Sequence, residues 1–348
     1  MPNVKTSESN RAWVLRRRPE SSISAANLEL ETRPIPSPGE GELLIRNLYL
    51  SLDPTNRLWM SDREQYLPPV EIGQVMRGGT LGQVVESRSD RFAPGDLVLP
   101  TDGGWQEYAS VPAATTGKVR RAPGLPLTAY MSALGATGMT AYFGLLDIGQ
   151  PKAGECVVIT AAAGAVGSIV GQIAKIKGCR VVGIAGGADK CRWLIDDLGF
   201  DGAIDYKSQD VAAELDRLCP NGIDVSFENV GGPIMDAVFN RLNRDGRMAL
   251  CGLISAYNHE GPMAGPTDFG LILMNRLTIR GFIVLDYLSQ ARQALTDLGT
   301  WAAEGKLKWK VDVVKGIENA PNALERLFSG ANDGKLLVQL AADEDLGK

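Results

Sequence analysis

CVVITAAAGAVG, residues 156–167, is the stretch that decides the fold. Its first five residues form a short apolar run suited to a strand buried on both faces. Val166, Ile169, Val170 and Ile173 then follow at helical spacing until Gly178 ends the segment. A strand, a small-residue turn and a helix in succession are the context that a dinucleotide fingerprint requires. Against G-x-G-x-x-G, Ala162 takes the first place, and Gly164 and Gly167 hold the second and third. Gly164 lets the backbone approach a pyrophosphate, and Gly167 lets helix and strand pack closely. The free N–H groups and the positive dipole end of the helix then face the phosphates.

The same rhythm continues downstream. Residues 180–184 form the next strand and 190–198 a second helix, and 201–205, 222–228 and 246–252 extend the series. Strands separated by single helices imply a parallel sheet with right-handed crossovers. Which dinucleotide is bound follows from the end of the second strand. An NAD site places an acid there, about 20 residues on, to accept from the ribose 2′-OH. Here the chain reads Gly183-Ile184-Ala185-Gly186-Gly187, with no acid. Lys190 follows, and its ammonium is able to pair with a 2′-phosphate. Tyr206, after the next strand, adds a hydroxyl donor. Asp189 would oppose a phosphate unless it points away. The balance favours NADP over NAD.

Upstream of about Ala129 the texture differs. Short β-like runs alternate with turn signals, as at 42–52, 81–86 and 97–99, with Asp53-Pro54 and Ala93-Pro94-Gly95-Asp96 as breaks. Residues 306–314 and 335–340 again look like strands. The expected organisation is a β-rich domain over 1–128, to which 306–348 returns, with an α/β domain over 129–305 between the two parts. No internal repeat is present.

Composition removes several function classes. The 348 residues are 44% apolar and 22% charged, an ordinary mix for a soluble globular chain. A net charge of −5, from 36 basic and 41 acidic residues, gives no field that attracts nucleic acid. The basic run Arg16-Arg17-Arg18 reads as solvated surface. The five cysteines show no C-x-x-C spacing, and His259 is the only histidine. A zinc site and a Ser-His-Asp triad therefore both lack their residues, and no G-x-S-x-G or Tyr-x-x-x-Lys occurs. Residues 1–10 carry no apolar core of a signal peptide. The uncharged stretches 122–146 and 156–174 are too rich in Pro, Gly and Ala to span a bilayer. The expected location is the cytoplasm.

Longer segments carry a resemblance. AAAGAVGSIVGQIAKIKGCRVVGIAGG (161–187), FENVGG (227–232) and CGLISAYN (251–258) resemble the zinc-independent medium-chain dehydrogenase/reductases. LYLSLDPTNRLWM (48–60), QYLPPVEIGQVMRGG (65–79) and LGATGMTAYFGLL (134–146) are similar to the branch of prostaglandin reductases, alkenal double-bond reductases and bacterial curcumin reductases. The resemblance covers nearly the whole chain. It implies an α/β protein with a GroES-like β-rich domain and a Rossmann domain, a doubly wound parallel sheet. It also implies NADPH as donor, a homodimer, and reduction of the C=C bond of a conjugated enone or enal.

Position by position, the resemblance places the pyrophosphate on Gly164, Ala165, Val166 and Gly167, and the 2′-phosphate on Lys190 and Tyr206. Asn229 matches a cofactor-binding asparagine. Cys251, Gly252, Ser255 and Tyr257 line the nicotinamide side, with Tyr257 near the ribose. Phe282, Ile283 and Val284 match the strand that meets the carboxamide. Thr140 lies near the nicotinamide, and Asn332 matches a late asparagine that reaches the cofactor. Tyr66 falls on a substrate-facing tyrosine. The chain departs from the branch at Asp53-Pro54-Thr55-Asn56-Arg57, where many members read DPYMR.

The implied chemistry sends a hydride to the β-carbon while charge develops on the carbonyl oxygen. A hydroxyl donor aimed at that oxygen stabilises the transition state, and Tyr66, Tyr257 and a ribose hydroxyl are the candidates. Two alternatives stay open. A quinone reductase would use the same cofactor groove, and a non-catalytic NADPH-binding protein would bind without turnover.

Overall fold

The computed structural model describes residues 9–24, 26–259 and 261–342, and its chain divides into two compact units. One comprises Met1–Met131, Asp312–Asn332 and Leu336–Lys348; the other comprises Ser132–Val311 and Asp333–Lys335. Of the stretches expected in the β-rich domain, 1–8 and 343–348 lie outside the described residues.

In the first unit Glu42–Ser51 is the central strand, antiparallel to Thr80–Ser87, to Tyr108–Pro112 and to Lys335–Gln339. It belongs to a seven-stranded sheet, and Asn10–Leu15 and Leu28–Arg33 form a separate antiparallel pair. Leu15, Leu50, Leu52, Met60, Trp105, Leu324 and Val338 build one buried cluster. Leu43, Ile45, Val84, Val98 and Val111 build another.

The second unit contains a parallel sheet. Its strands are β1 (Cys156–Thr160), β2 (Arg180–Ala185), β3 (Gly202–Asp205), β4 (Ile223–Glu228), β5 (Leu242–Leu250) and β6 (Thr278–Gly281). Helices α1 (Gly167–Ile176), α2 (Ala188–Asp196), α3 (Val211–Leu218) and α4 (Gly232–Phe239) connect the first five. The strand order is β3-β2-β1-β4-β5-β6, the doubly wound order of dinucleotide-binding sheets.

Alternation within β1 shows why Cys156–Ile159 is a continuous apolar run. Val157 and Ile159 enter a cluster with Ile169, Val170 and Ile173 of α1. Cys156 and Val158 enter the opposite cluster with Leu215 of α3 and Met235, Val238 and Phe239 of α4. Side chains of a strand alternate between faces, so a strand covered on both sides is apolar on both; the exception, buried Thr160 at its C-terminal end, gives its hydroxyl to Glu228. Each such Val or Ile contributes roughly 1.5–3 kcal/mol on burial.

The structure shifts the expected division near residue 306. The strand there is Val311–Lys315, shorter than expected. Lys308 gives its backbone elsewhere: its N–H donates to Gln172 Oε1 at 2.7 Å, and its carbonyl accepts from Gln172 Nε2 at 2.8 Å. Leu307 and Trp309 pack into the cluster around α1. Residues 306–311 are therefore held in the second unit. Among the described residues, no helix is long and apolar enough to cross a membrane.

Candidate functional site

All six strands of the sheet run the same way, so their C-terminal ends share one edge. The residues that follow those ends are Ala161, Gly186, Tyr206, Asn229, Cys251 and Phe282. Fingerprint, phosphate and nicotinamide residues named from the sequence are thereby brought to one border of one sheet, the border where open α/β sheets bind ligands.

The turn after β1 is shaped by close packing. Ala161 holds a left-handed φ of 50°, and its carbonyl accepts from the N–H of Gly164 at 2.9 Å. A Cβ on Gly167 would stand 2.5 Å from the Ala161 oxygen and 2.9 Å from the Ala162 Cα. Both neighbours are backbone, so only glycine fits where α1 begins. No side chain caps α1; the Ser168 and Ile169 N–H groups donate to the Gly164 and Val166 carbonyls at 3.1 and 3.0 Å, and the positive end of the helix dipole favours an anion there. Gly334 forms an isolated parallel bridge with Gly164, which lays residues 333–335 beside the turn.

The loops after β2 and β3 are tied to each other. Asp205 accepts from the N–H of Gly187 at 2.7 Å, from the N–H of Lys207 at 3.0 Å and from Ser208 Oγ at 2.8 Å. The Gly187 bond, foremost, holds its carboxyl below the ordinary range. A Cβ on Gly186 would stand 2.9 Å from the Tyr206 ring and from Lys207 Cε, so the aromatic ring lies on a bare backbone. Lys190 sits half-buried in the first turn of α2. Asp189 is exposed and pairs with Arg192 on the same helix, which offsets the charge that would oppose a phosphate.

Beyond β4 lies a network that the sequence reading did not single out. Glu228 is fully buried, and its Oε1 accepts from the N–H of Val230 at 2.6 Å, from Gly231 at 2.8 Å and from Thr160 Oγ1 at 3.0 Å. Burial pushes its carboxyl up, against the pull of those donors. Asn229 donates from its side chain to the Thr160 carbonyl and from its backbone to Thr160 Oγ1, both at 2.7 Å. The ends of β1 and β4 are thus locked together. The 251–257 loop is bound to the same turn: Cys251 N–H donates to the Glu228 carbonyl at 2.9 Å, and Ser255 Oγ to the Val230 carbonyl at 2.6 Å. Tyr257 accepts from the Leu253 N–H at 3.1 Å. Burial, with the Glu228 charge second, pushes the Cys251 thiol up to about 12, so it stays protonated at neutral pH.

Phe282 packs edge-on against Phe227 with ring centres 6.2 Å apart, and Ile283 and Val284 follow it. Thr140 is not at a strand end; it lies on the helix Ala136–Phe143 and donates to the Ala136 carbonyl at 2.8 Å. Tyr66 and Asn332 belong to the first unit. Tyr66 is 41% exposed and lies 2.5 Å from Thr55 Oγ1, hydroxyl to hydroxyl. Its phenol end is desolvated, which raises its pKa, while Thr55 and then Trp59 oppose that rise.

Taken together, the sheet edge offers backbone donors at a helix start, a lysine with a tyrosine on a bare glycine, and a fixed polar turn at Asn229. Such a set suits a phosphorylated dinucleotide laid across the strand ends. Among the described residues, no group of three or more His, Cys, Asp or Glu is placed to hold a metal ion.

Comparison with known proteins follows the same lines. Residues 11–119 match the family described as the N-terminal domain of oxidoreductase, and residues 165–300 match the one described as zinc-binding dehydrogenase. The NADPH-dependent curcumin reductase of Escherichia coli (strain K12) is 44% identical over 340 residues, 96% of this chain and 98% of that protein. The 2-alkenal reductase (NADP(+)-dependent) of Nicotiana tabacum is 39% identical, covering 93% of this chain and 94% of its own. The crystal structure of CurA in complex with NADPH from Vibrio vulnificus superimposes with a TM-score of 0.90 at 45% identity, covering 95% of this chain and 99% of that one.

Proposed function

This chain belongs to the zinc-independent medium-chain dehydrogenase/reductase family, and from that premise we propose that it reduces the C=C bond of α,β-unsaturated ketones or aldehydes. It is an NADPH-dependent oxidoreductase. The observation that carries the reading is the shared sheet edge, where the Gly164–Gly167 turn, the acid-free Gly186-Gly187 turn with Lys190 and Tyr206, and the Asn229 turn stand in line.

When bound, NADPH supplies the hydride that the β-carbon of the acceptor receives. The chain's part is placement. Gly164, Ala165, Val166 and Gly167 take the pyrophosphate, and Lys190 and Tyr206 take the 2′-phosphate. The nicotinamide riboside is held by Asn229, Cys251, Gly252, Ser255 and Tyr257. Phe282, Ile283 and Val284 meet the carboxamide, and Thr140 completes the cofactor set. Tyr66, kept neutral at neutral pH, donates its proton toward the carbonyl oxygen as enolate charge grows there. Loss of one such donor costs about 2.7–4 kcal/mol of transition-state stabilisation.

The subunit is proposed to pair with a second copy. Phe269, Leu273 and Met274 are 69%, 74% and 63% exposed around the helix Gly270–Asn275, and β6 is the edge strand of the sheet. An apolar patch beside an open edge supports an interface, and light scattering reads the mass directly.

A substrate panel tests the activity. With NADPH, a conjugated enone is expected to turn over at least tenfold faster, by kcat/KM, than a benzoquinone. Faster turnover of the quinone moves the assignment to quinone reduction. No turnover of any member, with NADPH still bound, leaves a binding protein.

A further inference from the structure

We propose that Thr55 is a positioning residue for the reaction: its hydroxyl fixes and polarises the Tyr66 hydroxyl that donates to the substrate's carbonyl oxygen. The inference rests on the reading of Tyr66 as that donor and adds the group that makes it effective.

Thr55 opens a short helix, Thr55–Trp59, whose next two residues anchor it. Asn56 is buried; its Oδ1 accepts from the Asp53 N–H at 2.7 Å, and its Nδ2 donates to the Arg77 carbonyl at 3.3 Å. Arg57 is buried as well and donates to the carbonyls of Ser21 at 3.0 Å and Pro19 at 2.9 Å. With both followers pinned, the Thr55 side chain has a fixed origin. Its Oγ1 meets the Tyr66 oxygen at 2.5 Å, across ten intervening residues of chain.

Trp59 lies one helical turn after Thr55, on the same face. Its indole Nε1 is buried without an acceptor at hydrogen-bonding distance, and the Arg77 guanidinium lies 5.4 Å from its ring centre. In the proposed arrangement the Thr55 O–H is the donor to the Tyr66 oxygen, the two hydroxyl oxygens lying 2.5 Å apart. A phenol carries one proton and two acceptor lone pairs. When its oxygen accepts from Thr55, its own proton is directed away from Thr55 and toward another acceptor. Charge drawn onto the phenol oxygen during the reaction strengthens the Thr55 bond, because linked hydrogen bonds polarise one another. Thr55 stands where many members of the branch carry the tyrosine of DPYMR, so the arrangement belongs to this chain's own sequence.

The test uses the full-length protein with NADPH and methyl vinyl ketone, following loss of NADPH absorbance. Thr55→Val removes the hydroxyl at constant shape and is expected to lower kcat about tenfold, the scale of one hydrogen bond, with KM for NADPH unchanged. Thr55→Ser is expected to stay within about twofold of the parent. In a Tyr66→Phe background, Thr55→Val is expected to add nothing. Independently of turnover, the Tyr66 phenol, read by ultraviolet difference against Tyr66→Phe, is expected to titrate at higher pH in Thr55→Val, since a donor that favours the phenolate is gone. Parent-like kcat and titration in Thr55→Val overturn the proposal, as does an equal loss of rate in the Tyr66→Phe background. If Tyr66→Phe alone leaves hydride transfer unchanged, the donor reading of Tyr66 fails first; if it slows transfer while Thr55→Val does not, only the role of Thr55 fails.

Discussion

Lys190→Glu is expected to raise the Kd for NADPH a hundredfold or more while changing the Kd for NADH by less than about threefold. The lysine sits half-buried in the first turn of α2, beside the Gly186-Gly187 turn on which the Tyr206 ring lies. A charge-assisted hydrogen bond contributes about 1.5–3 kcal/mol, or roughly ten- to a hundredfold in affinity. The substitution also places a carboxylate near a dianionic phosphate. At about 4 Å and an effective dielectric of about 20 that repulsion is worth up to a few kcal/mol. NADH lacks the phosphate, so neither effect applies to it. Fluorescence titration with both cofactors reads the difference. An equal loss for the two removes Lys190 from the 2′-phosphate site.

Gly167→Val is expected to abolish measurable NADPH binding and to destabilise the protein by about 3 kcal/mol or more. The added Cβ falls 2.5 Å from the Ala161 carbonyl oxygen and 2.9 Å from the Ala162 Cα, and neither can swing aside as a side chain would. Relief requires α1 to move off β1, which opens contacts of Ile169, Val170 and Ile173 with Val157 and Ile159. The same movement displaces the helix start proposed to face the phosphates. Denaturant unfolding and cofactor titration together check this. A variant with parent-like stability and parent-like affinity contradicts the close packing described for the turn.

Local backbone geometry explains why the core of the fold was legible in the sequence. CVVIT followed by a small-residue turn and the Val166–Ile173 spacing has few other physical readings. The absence of an acid after β2 likewise reads directly as a cofactor preference. What the sequence hid depends on distant partners. Residues 306–310 alternate like a strand, but Lys308 is claimed by Gln172, 136 positions earlier. Glu228 ends the strand IDVSFE at a fully buried position, and an acid next to the buried Phe227 was a usable signal of a buried network. Its partner Thr160, 68 positions earlier, becomes evident only when β1 and β4 are adjacent. Thr55 resembles any turn residue after a proline until the loop carrying Tyr66 returns to it.

Deuteride transfer from chelator-treated protein tests the central claim most directly. With NADPH deuterated at the transferable position and a conjugated enone, the saturated product is expected to carry deuterium at its β-carbon, at a rate unchanged by chelation. Deuterium at the carbonyl carbon, or activity that disappears with the chelator and returns with zinc, would contradict it.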